Sequence, residues 1–173
     1  RQRQMCIRDS HPTIPNLVFV GTSEGLFRSD NNFESFSFVQ TGNSWEYNQD
    51  YDYIEFHPTD QNIIYASTFN NDSQIYVSSD QGQNFVQSGT IPGNGSNIQL
   101  SVSAACENCV FVGSSDGVWK SDNIADTFTL LGNPNIANYG AFAVSDTDEN
   151  YMLFGDIDTH MSNDGGQTWN QVT

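Results

Sequence analysis

Four copies of one short motif run through this chain, and any fold must give all four equivalent surroundings. The clearest is Ser162 to Trp169, SNDGGQTW; weaker copies are Ser78 to Phe85 (SSDQGQNF), Ser121 to Phe128 (SDNIADTF) and Ser29 to Phe36 (SDNNFESF). Each sets Ser or Asn beside an aspartate and closes on an aromatic. The aspartates are Asp30, Asp80, Asp122 and Asp164, spaced 50, 42 and 42. In two copies Gly82 and Gly166 follow the Asp by two residues, and Phe85 and Trp169 follow it by five. In the other two the glycine is missing and Phe36 and Phe128 follow by six, which implies turns one residue longer. A short carboxylate accepts hydrogen bonds from nearby backbone N–H groups, and glycine takes a positive φ at little cost. The closing aromatic can anchor the turn on a core. One catalytic centre does not need four copies of its acid, whereas four equivalent hairpins do, so these aspartates read as structural.

A second repeated stretch sets the period independently. HPTIPNLVFVG starts at His11, HPTDQNIIYAS at His57, SAACENCVFVG at Ser103 and SDTDENYMLFG at Ser145. Each carries an asparagine in the same place, Asn16, Asn62, Asn108 and Asn150, and then enters a short apolar run. From that Asn to the motif Asp is 14 residues in three units and 18 in the second, which places a four-residue insertion near Asn70 to Ser73.

Short apolar or alternating runs bounded by turn residues make each unit four strands. In the second unit these are Tyr53 to Phe56, Ile63 to Thr68, Gln74 to Ser78 and Asn84 to Gln87. Four antiparallel strands in roughly 45 residues is the size of a β-propeller blade. The expected fold is all-β, a propeller segment of about four blades. Its units lie near residues 11–42, 43–88, 89–131 and 132–173, and the first begins only at its second strand.

Residues 1–10, RQRQMCIRDS, match no unit and hold three of the five basic residues. They resemble a translated sequencing-adapter string at the end of a metagenomic reading frame. They are expected to be a non-native tail outside the fold. Without them two basic and twenty acidic residues remain, a formal charge of −18. That balance argues against nucleic acid and anionic membrane surfaces, and it suits a secreted or salt-adapted protein. No apolar run is long enough to span a membrane, and no secretory leader is recognisable.

No cofactor is expected. Acidic loops of this kind could hold calcium, but no EF-hand spacing occurs and no metal site is expected. Cys106 and Cys109 stand as CENC at the entry to the third apolar run. Zinc would need two more ligands nearby, and no second pair exists in the sequence. A small disulfide loop and two free thiols both remain open.

Ser162 to Trp169 matches the pattern S-x-D-x-G-x-[ST]-[WF], with Asn84 replacing Ser or Thr in the second copy. On these residues the chain resembles the Asp-box (BNR) repeat propellers, over essentially all of residues 11–173. That family includes sialidases, xyloglucan-cleaving glucanases, sortilin-type receptor ectodomains and the photosystem II assembly factor. The resemblance implies that each box joins the third and fourth strands of a blade, away from the ligand face. It places ligands at the loops between blades and between second and third strands. The richest such loop is Ser44 to Tyr53. Trp45, Tyr47 and Tyr51 could stack on sugar rings, and Glu46, Asp50 and Asp52 could bond hydroxyls; Asp156 and Asp158 are expected on the same rim. The competing reading is that some of these aromatics pack between blades.

Two functions follow from the resemblance. One is a non-catalytic binding or scaffold module of a larger secreted or cell-surface protein, with a carbohydrate or protein ligand and the remaining blades as partners. The other is part of a glycoside hydrolase, xyloglucanase- or sialidase-like, whose catalytic residues are incomplete here. Sialidase chemistry in that family uses three arginines, and outside the tail this chain has only Arg28. Glucan cleavage uses two carboxylates across a cleft, and no motif singles out such a pair.

Overall fold

The computed structural model describes residues 7–22, 24–39, 51–68, 74–92, 98–136, 140–155 and 157–172. All regular structure among them is antiparallel strand, in four four-stranded sheets. The first runs β1 (Ile7–Ser10), β2 (Val18–Thr22), β3 (Gly25–Ser29) and β4 (Ser37–Phe38). The second runs β5 (Tyr51–Phe56), β6 (Ile64–Thr68), β7 (Gln74–Ser78) and β8 (Val86–Thr90). The third runs β9 (Gln99–Ser103), β10 (Cys106–Ser114), β11 (Gly117–Ser121) and β12 (Thr129–Gly132). The fourth runs β13 (Ala141–Val144), β14 (Met152–Gly155), β15 (Thr159–Ser162) and β16 (Asn170–Gln171). Strands neighbour one another in chain order, so each sheet is a meander, the blade of a propeller. The innermost strands meet in succession, β1 on β5, β5 on β9 and β9 on β13.

The first blade is complete, against the expectation that it lacks a strand. Ile7 to Ser10 pair with Gly21 to Val18, so four of the ten residues set aside as a tail fill the innermost place. The physical reason is that β2 offers an unpaired edge, and backbone pairing asks little of the sequence that fills it.

Side chains of a strand alternate between its two faces, and this period fixes the blade contacts. On the second strand of each blade one residue faces forward, to the next blade: Phe19, Tyr65 and Phe111, all fully buried. The residue after it faces back, and Ala66, Val112 and Phe154 join the cores formed with the preceding blade. Three clusters result. Leu17, Phe19 and Leu26 meet Ile54, Ile64 and Phe85; Tyr65 and Ile75 meet Leu100, Val110 and Trp119; Phe111 and Val118 meet Phe142, Val144 and Met152. In the fourth blade the forward position is Leu153, and it is 47 % exposed.

Where a second strand crosses the first strand of the next blade there is no room for a large side chain. A Cβ on Gly21 would lie 2.7 Å from the Tyr51 carbonyl oxygen, and one on Gly113 would lie 2.9 Å from the Phe142 ring. The same position in the second blade is Ser67, whose hydroxyl bonds to the Ile98 carbonyl at 3.4 Å.

Because β1 is an inner strand, deleting residues 1–10 is expected to lower the thermal unfolding midpoint by several degrees, whereas deleting only 1–6 leaves it near that of the full chain. Equal midpoints for the two truncations, measured by calorimetry, would show that β1 contributes nothing.

Candidate functional site

Each blade has two ends with different chemistry. At one end lie the turns between first and second strands and those between third and fourth strands. The two are bonded together in every blade. The N–H groups of Asn32, Gln81, Ile124 and Gly165 donate to the carbonyls of Asn16, Asn62, Asn108 and Asn150, at 3.3, 3.0, 3.1 and 3.1 Å. The repeated asparagines take part through their backbone carbonyls. The head of each first turn is capped as well. The Nδ1 atoms of His11 and His57 accept the N–H groups of Ile14 and Asp60, both at 3.0 Å, and the hydroxyls of Ser103 and Ser145 accept those of Ala105 and Thr147.

The third-to-fourth-strand turns correct the motif register. The acceptors are Asn31, Asp80, Asn123 and Asp164, not Asp30 and Asp122 in the first and third copies. Their Oδ1 atoms accept the N–H groups of Ser35, Asn84, Thr127 and Thr168, at 2.9, 2.9, 3.0 and 2.9 Å. They also accept the hydroxyls of Ser29, Ser78, Ser121 and Ser162. The four turns are therefore the same length, with the aromatic always five residues past the acceptor. Each holds two consecutive residues at positive φ: Asn32 and Phe33, Gln81 and Gly82, Ile124 and Ala125, Gly165 and Gly166. Gly82 also needs the space, since a Cβ there would lie 2.2 Å from the Phe19 ring.

Asp30 and Asp122, freed from the turn, pair with Arg28 and Lys120 at 3.1 and 2.9 Å. Those two cations also reach the next blade: Arg28 Nε donates to the Gln81 carbonyl at 3.1 Å, and Lys120 Nζ lies 3.0 Å from Glu149. The anchoring aromatics differ by place. Phe85 is 3 % exposed and Trp169 is half-buried with its Nε1–H on the Gly166 carbonyl, Phe128 packs on the second cluster, but Phe36 is 67 % exposed, having no described blade behind it.

The opposite end carries the loops expected to meet a ligand. Trp45, Glu46, Tyr47, Asp50 and Asp156 lie outside the described residues. Tyr51, expected to stack on sugar, is instead 2 % exposed and packs in the first cluster, its ring 6.0 Å from that of Tyr76. The alternative of packing between blades holds for it, because Gly21 lets the backbone of β5 come close. Asp52 is the extra residue of a bulge in β5, between Tyr51 paired with Thr68 and Tyr53 paired with Ser67. Asp158 is exposed. The tight turns at Thr22 and Ser114 are self-contained, each hydroxyl donating to the carbonyl of Gly25 or Gly117.

A carboxylate the sequence did not single out sits on the inner strands. Asp9, Glu55, Ser101 and Ala143 occupy one position in the four blades, opposite Phe19, Tyr65, Phe111 and Leu153. Burial, and then the charges of Asp9 and Asp146, push Glu55 up to about 7. Aligning the units on their first strands is the signal that finds it. Asp164 is shifted the other way: bonds from Thr168 and Ser162 hold it at about 2. Cys106 and Cys109 are joined by a disulfide.

No family model matches the chain, and no curated protein matches it in sequence. Solved structures do match. An ancestral GH74 enzyme superposes with a TM-score of 0.78 at 21 % identity, over 96 % of this chain and 25 % of that one. The GH74 enzyme of Niastella koreensis gives 0.70 at 21 % identity, over 93 % and 28 %. The GH74 xyloglucanase from Xanthomonas campestris gives 0.69 at 16 % identity, over 98 % and 30 %. At these identities the likeness shows the fold, and the chain spans about a quarter to a third of the length of these enzymes.

Two outcomes follow from the carboxylates. An asparagine at 164 keeps the Oδ1 acceptor and can donate to Thr168 Oγ1, as Asn123 donates to Thr127 Oγ1 at 3.0 Å. Asp164→Asn should therefore melt like the parent at pH 7, while Asp164→Ala melts lower. The stability Asp164 contributes is present above the ordinary carboxylate pKa near 4 and is lost as pH falls toward 2, so the parent should lose more than Asp164→Asn across that range. Glu55 has the opposite sign. Its folded pKa is raised, so its ionisation costs stability as pH rises from about 4.5 through about 7. Urea unfolding at pH 5 and pH 8 should show Glu55→Gln gaining on the parent at the higher pH, and an equal difference at both would rule out a titrating Glu55.

Proposed function

We propose that these four blades are part of a larger Asp-box propeller glycoside hydrolase acting on β-glucans of the xyloglucan kind, and that they serve it as a glycan-binding wall. The observation that carries this reading is the superposition on GH74 enzymes over nearly the whole chain. The turn S-x-[DN]-x-x-x-[STN]-[FW], present four times with one bonding scheme, supports the Asp-box assignment. A sialidase-like reading is disfavoured, because the guanidinium of Arg28 is held by Gln81 and Asp30 at the turn end of its blade.

The ligand face in this reading is the rim opposite those turns. Trp45 and Tyr47 offer stacking surface, and Asp50, Asp52, Asp156 and Asp158 offer hydroxyl acceptors. Flat aromatic faces with a few placed carboxylates suit pyranose rings, which are apolar on their faces and polar at their edges. Hydrolysis needs one carboxylic acid to protonate the leaving oxygen and a second carboxylate across the bond. The second would come from outside these blades, so the chain binds and does not cleave. A polymeric substrate of this size is met outside the cell, in keeping with a secreted or surface location.

The test is calorimetric titration of the full chain with xyloglucan oligosaccharides, with reducing-end release followed in parallel. Saturable binding that Trp45→Ala weakens, without turnover, is expected. Turnover abolished by Asp50→Asn or Asp52→Asn would place catalysis in the chain itself, and binding to no β-glucan would remove the glycan reading.

A further inference from the structure

We propose that Cys106, Cys109 and Glu149 form a binding site for a soft divalent cation of the zinc kind once the cysteine pair is reduced, with Asp122 as the fourth donor. Among the described residues these three donor atoms, two Sγ and a carboxylate oxygen, all lie within 4.8 Å of one another. The two cysteines stand three residues apart on one turn, with Cα atoms 5.3 Å apart.

The turn itself does not require a covalent staple. In the other three blades the same turn closes by a backbone bond, Leu17 N–H to Ile14 O, Ile63 N–H to Asp60 O and Tyr151 N–H to Asp148 O, at 3.4, 3.2 and 3.0 Å. Those turns hold with Ile and Leu, Asp and Ile, or Asp and Tyr where the third blade has its cysteines. A paired thiol at this place therefore adds something beyond turn formation.

Folding supplies what the sequence lacks for a metal. Glu149 comes from the corresponding turn of the fourth blade. Its Oε2 is buried and ion-paired with Lys120 Nζ at 3.0 Å. Asp122 Oδ1 lies 3.3 Å from Cys109 Sγ. This aspartate has no duty in its own turn, because Asn123 performs it. Lys120 sits between the two carboxylates and holds them beside the sulfurs. Two thiolates and two carboxylates are a donor set that zinc accepts in tetrahedral geometry, and thiolate selects it over calcium or magnesium. The four negative charges against Lys120 also suit a dication in an acidic chain.

Opening the site needs one co-reactant, a dithiol. A dithiol reductant breaks the Sγ–Sγ bond, passing two electrons and two protons to the cysteines and closing its own disulfide. The cation then displaces the two thiol protons to solvent as it binds. The disulfide joins two residues of one turn, whereas the metal would tie the third blade to the fourth through Glu149.

Cobalt(II) reports thiolate ligation by its charge-transfer absorption and serves as the probe. The full chain, reduced and then freed of reductant under nitrogen, should develop that absorption to a single equivalent of cobalt and lose it to zinc, while the chain with its disulfide intact shows none. Glu149→Gln should weaken cobalt binding about tenfold or more, and Cys109→Ser should abolish the band. Circular dichroism of Glu149→Gln in its disulfide form verifies that the variant is folded. No band in the reduced parent, or a band whose titration midpoint Glu149→Gln leaves unchanged, would overturn the site.

Discussion

Four side-chain oxygens, on Asn31, Asp80, Asn123 and Asp164, hold the outer hairpin of every blade. Each gathers an N–H four residues on and the hydroxyl of a serine two residues back. That clamp keeps two successive residues in the left-handed region, a conformation most L-residues resist. Its first residue then presents an N–H to the neighbouring turn of the blade, and in the second and fourth blades its second packs on the blade before. Gly82 against Phe19 and Gly166 against Leu131 are such contacts. Hairpin geometry and blade packing thus rest on one polar cluster at the edge of the sheet. Ile124 and Ala125 show its strength, since a β-branched residue and an alanine are held there at φ values of 56 and 62°.

Much of this architecture is legible in the sequence because repetition multiplies a weak local signal. The third strands at Gln74 to Ser78, Gly117 to Ser121 and Thr159 to Ser162 agree with the turn spacing to the residue. The misreadings have physical causes. Asp30 and Asp122 look like the turn acid because asparagine offers the same Oδ1 acceptor and stands one place on. Anchoring the alignment on Ser29 and Phe36 rather than on aspartate would have shown the shift. The strand at Ile7 to Ser10 is invisible to pattern because an edge is filled through backbone groups. Tyr51 reads as a rim aromatic, yet the glycine that draws it into the core sits thirty residues earlier, in another blade. For the candidate rim less was legible, since ligand contacts follow no period. Glu149 could not be linked to the CENC turn at all, because only blade stacking brings them together.

Charge is used sparingly and in pattern. Outside the first ten residues the chain has two cations, Arg28 and Lys120, at one position of the first and third blades. Each bridges to the following blade, and Lys120 also lies over the Phe111 ring at 5.6 Å. The second blade carries Val77 there, packed on its cluster. Polar and apolar solutions thus serve the same junction. Burial, and then the charges of Asp9 and Asp146, bear on Glu55, whose inner-strand position has serine or alanine in the later blades.

Leu153 has a consequence for how the chain comes apart. Stacked repeats behave as a one-dimensional array, in which each unit is held by its own stability and by its junctions with neighbours. The second and third blades have two junctions each. The first and the fourth have one each among the described residues, and at the place where Phe19, Tyr65 and Phe111 are sealed the fourth carries a half-exposed leucine. Local opening should therefore start at this blade and travel inward, so that amide exchange is graded along the chain, fastest in β13 to β16 and slowest in the middle.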